Sequence, residues 1–303
     1  WGCCLSRGGR AKCPPNRPFM CRGKTCGGGD HCCETSCARH GGVLACTTTG
    51  DVLLMGNSFT HYNGGVDQVL LEFFNAAGAP RTVRRVVKSS QNLTYHLEQC
   101  DIPDSKYHRV MSAGNSWGFV VVQDKSWVPA LCCHTTPLYS DPDYNASVQA
   151  LIALDHKIEN VGARTVLYQT WGRRDASVSS RCQSSFKVMN DLVMRGYQHY
   201  ASVITREDRQ PLIAPVGRAF QLIHDGIAHA GGDPAHPTSF FHRLFHEDGS
   251  HPSPLGTYLA SCVIYSTITG GSSQGLPAAA GVAEAEALAL QLKADEAVFF
   301  GQR

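Results

Sequence analysis

The chain has little charge of either sign to spare and no long basic or acidic run. It also has no apolar stretch long enough to span a bilayer. Its 303 residues carry 27 Lys and Arg against 25 Asp and Glu, a formal net charge of +2. So even a balance offers nucleic acid or an anionic membrane little to hold, and neither is expected as a partner. No segment reaches the ~18 uncharged apolar residues of a membrane-spanning helix. A phosphate-binding glycine loop is also lacking, because Gly27-Gly28-Gly29 does not follow a strand. His224, His229, His236 and His242 scatter around a Gly- and Pro-rich loop without metal-ligand spacing and are read as surface residues. Neither a metal nor a cofactor is therefore expected.

Residues 1 to about 47 are almost empty of aliphatic periodicity but rich in cysteine. Nine of the chain's fourteen cysteines fall there, at 3, 4, 13, 21, 26, 32, 33, 37 and 46; the others are Cys100, Cys132, Cys133, Cys182 and Cys262. A segment that cannot build a core needs cross-links, so residues 1–47 are expected to form a disulfide-held module. Because nine is odd, at least one thiol there must stay free or pair elsewhere. Zinc is the competing reading, since His31, Cys32, Cys33, Cys37 and His40 lie close together. The spacing lacks two separated CxxC-type pairs, which favours disulfides. Cysteine use, a start at Trp1 and two sequons, at Asn92 and Asn145, lead to the expectation of a secreted glycoprotein.

From residue 48 to 303 the texture changes. Short β-branched runs at 52–55, 82–87, 119–123, 165–169 and 211–216 alternate with helix-like stretches at 66–77, 145–161, 182–203, 218–230, 254–269 and 282–299. This alternation predicts one α/β domain: three layers, α/β/α and flavodoxin-like, with about five parallel strands. Ligands of such sheets bind outside the carboxyl ends of the strands. Ser58, in the turn Gly56-Asn57-Ser58 after the first run, falls at such an end.

A serine hydroxyl is a poor nucleophile without a base, and the base needs an acid to orient it. Asp248-Gly249-Ser250-His251 supplies both within one turn. Taken alone, each motif is as well explained by an ordinary turn or a helix entry. Their joint occurrence, with five alternating strands between, carries the weight. Together GNSFT and DGSHPSPLGTYLA resemble the first and last blocks of the SGNH (GDSL-type) hydrolases, and VVVQDKSW and LYQTWGRR are similar to intermediate segments. The resemblance spans residues 50 to 270 or so and does not touch residues 1–47.

The resemblance implies Ser58 as nucleophile, His251 as general base and Asp248 as its orienter. It also implies an oxyanion hole built from the Ser58 N–H and donors in the second and third blocks. Both of those blocks depart from the usual pattern, so the implied donors are the backbone around Ser90 or Gln91 and the side-chain amide of Gln123. Asn57, His61, Tyr62, Trp127 and Trp171 follow strand ends and are expected to line the cleft. The leading expectation is a secreted serine esterase on acetylated carbohydrate or another small ester. The alternative is a catalytically weak or inactive protein of the same fold, attached to a wall, matrix or assembly through residues 1–47.

Overall fold

The computed structural model describes residues 50–112, 114–133, 141–175 and 184–300, and before residue 50 only the backbone of four short strands. Those are β1 (Phe19–Cys21) antiparallel to β2 (His31–Cys33), and β3 (Thr35–His40) antiparallel to β4 (Val43–Thr48). The expected disulfide module at 1–47, its zinc alternative and the side chains of Cys132, Cys133 and Cys182 lie outside what is described. Cys100 and Cys262 are buried free thiols. Neither supplies the extra partner that the odd cysteine count asks for.

The domain is a three-layer α/β/α sandwich on a five-stranded parallel sheet. The strands are β5 (Val52–Gly56), β6 (Val83–Val87), β7 (Phe119–Val122), β8 (Arg164–Gln169) and β9 (Leu212–Pro215), in the order β6-β5-β7-β8-β9. Register runs Val52 beside Val83 and Phe119, Phe119 beside Arg164, and Val166 beside Leu212. Every residue of β5 and β7 is buried, as strands covered on both faces require, whereas edge strand β6 turns Arg84 to solvent.

Alternation along the strands feeds two cores. Val52, Leu54, Phe119, Val121, Val166 and Tyr168 face helices α2 (Val66–Ala76), α7 (Val216–His229), α8 (Pro254–Thr269) and α9 (Glu284–Phe299). Leu53, Met55, Val120, Val122 and Leu167 face α3 (Leu93–Asp101), α4 (Lys106–Met111), α5 (Pro142–Asn160) and most of α6 (Phe186–Ile204). Helix α8 is buried nearly all round because α9 covers its outer side. It starts on a Ser253 cap with Pro254 behind it and stops at Gly270, whose φ of 67° suits glycine.

Six helices lie where their periodicity predicts, within a few residues. The short α1 (Ser58–His61), α3 and α4 were not expected. Only Leu93, His96 and Cys100 of α3 and Tyr107 of α4 are buried, too few apolar positions to mark a helix by pattern.

After β5 the chain steps to β6 on one side and then to β7 on the other. The carboxyl end of β5 is thus the switch point of the sheet, the place where an α/β fold opens a crevice. Ser58 begins α1 there.

Candidate active site

Asn57 shapes the turn that presents Ser58. Its side-chain oxygen accepts from Phe59 N at 3.2 Å and caps α1, while its amide donates to Gln91 O at 3.0 Å and to Asp124 O at 3.4 Å. The turn is thereby tied to the loops after β6 and β7. Gly56 is required beside it, since a Cβ there would lie 2.4 Å from Thr60 Oγ1 and 2.7 Å from Gln123 Oε1.

The second half of the site is the turn before α8. Phe245 bridges Pro252, and His246 N donates to His251 O at 2.8 Å, so residues 246–251 form a closed loop. Gly249 permits it with φ +64°. Asp248 Oδ1 accepts from Ser250 N and His251 N, both at 2.9 Å, and Oδ2 meets His251 Nδ1 at 2.5 Å. Burial pushes the Asp248 carboxyl up, but these bonds, led by the one from the His251 ring, outweigh it and hold the group at about 2.

An ionised Asp248 can only accept, so His251 Nδ1 carries the donated proton. That leaves the Nε2 lone pair for Ser58, whose Oγ lies 2.8 Å away. Residues 193 positions apart are thus joined as hydroxyl, imidazole and carboxylate. The arrangement can take a proton from Ser58 as Oγ forms a bond to an electrophilic carbon, and return it to a leaving group. The N–H of Ser58, first in its helix, has no intrahelical acceptor. Ser90 lies in the 88–91 turn, which Asn57 binds at Gln91 O, and has a left-handed φ of 62°.

Other expected residues take different places. Gln123 does not reach the cleft: it is wholly buried, its Oε1 accepts from Asn57 N at 2.9 Å and Thr60 Oγ1 at 3.0 Å, and its amide donates to Asp124 O. It braces the Ser58 turn from beneath, which corrects the expectation of a side-chain oxyanion donor. Trp171 is also no cleft wall, being only 1 % exposed. It is stacked between Phe59 at 4.8 Å and Phe220 at 4.4 Å, and donates to Ser250 O at 3.1 Å. Asn57 is 3 % exposed and acts as cap and tie. Trp127 is half-buried with the Lys125 ammonium 5.2 Å from its ring centre, and His61 is half-buried with Nε2 3.0 Å from Ser89 Oγ. Burial lowers the His61 ring below its ordinary value. Asn92 caps α3, and Asn145 lies exposed on α5.

Asp124, Phe59 and Asn63 were missed. Asp124 is buried, which pushes its carboxyl up, yet it accepts from Leu93 N, Lys125 N and the Tyr200 hydroxyl and so locks the second and third blocks together. Phe59 stacks on Trp171 and meets His251 edge-on. Asn63 bonds the far side of the His251 turn. The run Asn63-Gly64-Gly65 was a readable signal for a left-handed turn; nothing near Asp124 marked it out.

A cavity of about 390 Å³ lies against the outer side of the His251 turn, lined by Arg174, His242, Arg243 and Leu255 among others; Ser58 is not part of its wall. Among the described residues no three His, Cys, Asp or Glu side chains gather as a metal site, and no helix is long and apolar enough to cross a membrane.

No family model and no curated protein matches the chain in sequence. Solved structures do match it. A Slackia heliotrinireducens protein assigned to the SGNH hydrolases is 25% identical, with a TM-score of 0.52, over 72% of this chain and 98% of that one. A DUF4886 family protein from Bacteroides uniformis is 19% identical, with a TM-score of 0.61, over 84% of this chain and 96% of that one. The second likeness is one of fold; the first also sets the chain beside a hydrolase. The chain has the three-layer fold of the SGNH hydrolases, with Ser58, His251 and Asp248 meeting at the carboxyl edge of its sheet.

Proposed function

We propose that the protein is a serine esterase that works through an acyl-enzyme. The observation that carries this reading is the Ser58–His251–Asp248 chain of contacts at 2.8 and 2.5 Å, at the switch point of the sheet. Ser58 Oγ attacks the ester carbonyl carbon while its proton passes to His251 Nε2, and Asp248 stabilises the imidazolium. The N–H groups of Ser58 and Ser90 receive the oxyanion. His251 then protonates the departing alkoxide, leaving an acylated Ser58. Water, deprotonated by the same nitrogen, attacks the acyl carbon, and collapse of the second tetrahedral intermediate releases the carboxylic acid and Ser58.

The proposed substrates are small acyl esters such as acetylated carbohydrate, and the proposed setting is extracellular, on the strength of the cysteine-rich segment. A weak or inactive binding protein is the second reading. It is favoured by the burial of Gln123, which leaves the oxyanion to backbone donors alone.

A fluorophosphonate probe decides between them. Labelling of Ser58, absent in Ser58→Ala and accompanied by hydrolysis of a small acetyl ester, is the expected result. A folded wild-type protein that takes no label would overturn the esterase reading.

A further inference from the structure

Tyr62 and Asn63 follow directly on the helix that begins with Ser58, and the chemistry above leaves both without a part. Asn63 stands at φ 52°, ψ 42°, a left-handed conformation that Asn adopts more readily than most residues. From there its side-chain amide donates to Pro252 O and to Thr257 Oγ1, both at 2.8 Å. Pro252 is the residue after His251, and Thr257 lies in the first turn of α8. The segment that presents Ser58 is thus clasped to the chain just beyond His251.

The same kink lays the Tyr62 ring flat on the His251 ring, with centroids 4.3 Å apart and planes 12° from parallel. Phe59 meets the imidazole edge-on at 5.4 Å and 66°. His246 closes on Tyr62 at 5.5 Å, and its Nδ1 stands 3.8 Å from Asp248 Oδ2. The titratable groups around His251 are therefore Asp248 and His246 from its own turn and His61 and Tyr62 from the Ser58 segment.

We propose that Tyr62 is a positioning residue for His251: its ring face fixes the imidazole plane and attracts the imidazolium as it forms, while Asn63 holds that face, Ser58 and His251 in one register. This inference rests on the acyl-enzyme reading of Ser58. An aromatic face carries negative potential and attracts a cation within about 6 Å of its centre. Neutral imidazole feels that attraction far less. The contact is therefore stronger in the transition state than in the ground state, and its loss falls on kcat rather than on KM.

The test compares Tyr62→Leu, Tyr62→Phe and Asn63→Gly with wild type in ester hydrolysis across pH, with fluorophosphonate labelling of each. Tyr62→Leu should lower kcat about 5- to 30-fold with KM held within about twofold. Because the imidazolium loses a favourable neighbour, the acid limb of its kcat/KM profile should move to lower pH by about half a unit or more. Tyr62→Phe keeps the face and should recover the wild-type kcat to within about threefold. Asn63→Gly keeps the left-handed backbone but drops the clasp, and should lower kcat at least about fivefold.

A wild-type protein that neither labels nor hydrolyses would end the acyl-enzyme reading itself. A wild type that does both, with Tyr62→Leu unchanged in kcat and pH profile, would overturn this inference alone. So would a Tyr62→Phe protein as impaired as Tyr62→Leu, since the hydroxyl would then be the group at work. Should Tyr62→Leu not fold, Tyr62→Phe and Asn63→Gly decide: an unimpaired Asn63→Gly overturns the proposal.

Discussion

Replacing Gln123 by Leu separates a brace from an oxyanion donor. Leu fills nearly the same volume, so little cavity is made. It strands the two donors that Gln123 Oε1 serves, Asn57 N at 2.9 Å and Thr60 Oγ1 at 3.0 Å. Both belong to buried residues, 3 % and 1 % exposed, so water does not replace the lost acceptor. At about 1–3 kcal/mol for each buried unsatisfied donor, the substitution should cost about 2–6 kcal/mol of stability. For a domain of this size that corresponds to a thermal midpoint lower by roughly 5 to 20 °C. Activity per folded molecule should fall less than about tenfold, through loosening of the Ser58 turn. A side-chain oxyanion donor would behave in the opposite way, its removal costing about a hundred- to a thousandfold in kcat with the fold left intact. Thermal unfolding, with kcat normalised to the labelled fraction, reads both quantities. An unchanged midpoint with kcat down a hundredfold would refute the assignment of Gln123 as a brace.

Two further outcomes are expected. Asp248→Asn keeps the shape of the turn but removes the acceptor that makes Nδ1 the donor, and should lower kcat by about two to four orders of magnitude with little change in KM; a loss under tenfold would count against the orienting role. His96 is fully buried in α3, neither ring nitrogen has a hydrogen-bond partner among the described residues, and burial lowers it to about 3. The folded state holds this ring neutral while the unfolded chain protonates it below its ordinary value of ~6.5, so the stability it leaves intact at neutral pH drains away as pH falls from there towards 3. His96→Phe should therefore lose about 3 kcal/mol less than wild type between pH 7 and pH 4, read from urea midpoints; an identical acid loss in both would contradict it.

Much of the fold is legible because it is encoded in short-range periodicity. Val52 to Met55 and Phe119 to Val122 are unbroken apolar runs of strand length, and α8 is bracketed by Ser253-Pro254 and Gly270. Helices α3 and α4 escaped because so few of their residues face the core. Of the site, Asp248 and His251 were legible as a pair because three residues of one turn suffice to bring a carboxylate to a ring.

Side chains at strand ends were the harder part. Gln123 and Trp171 each follow a strand, as cleft residues do, yet one lies under the Ser58 turn and the other between two phenylalanines. Which way such a residue turns depends on the loop that packs over it, and that loop comes from elsewhere in the chain.

Read alone, the amino-acid order determined the layer architecture, the turn that carries Ser58 and the local Asp248–His251 pair, because each depends on residues within a few positions of one another. Tertiary structure decided the 2.8 Å approach of Ser58 to His251, the burial of Gln123 and Trp171, and the stacking of Tyr62 on the imidazole. Those follow from the strand order and from helices packed across the sheet, where contacts between residues nearly two hundred positions apart carry no periodic trace in the sequence.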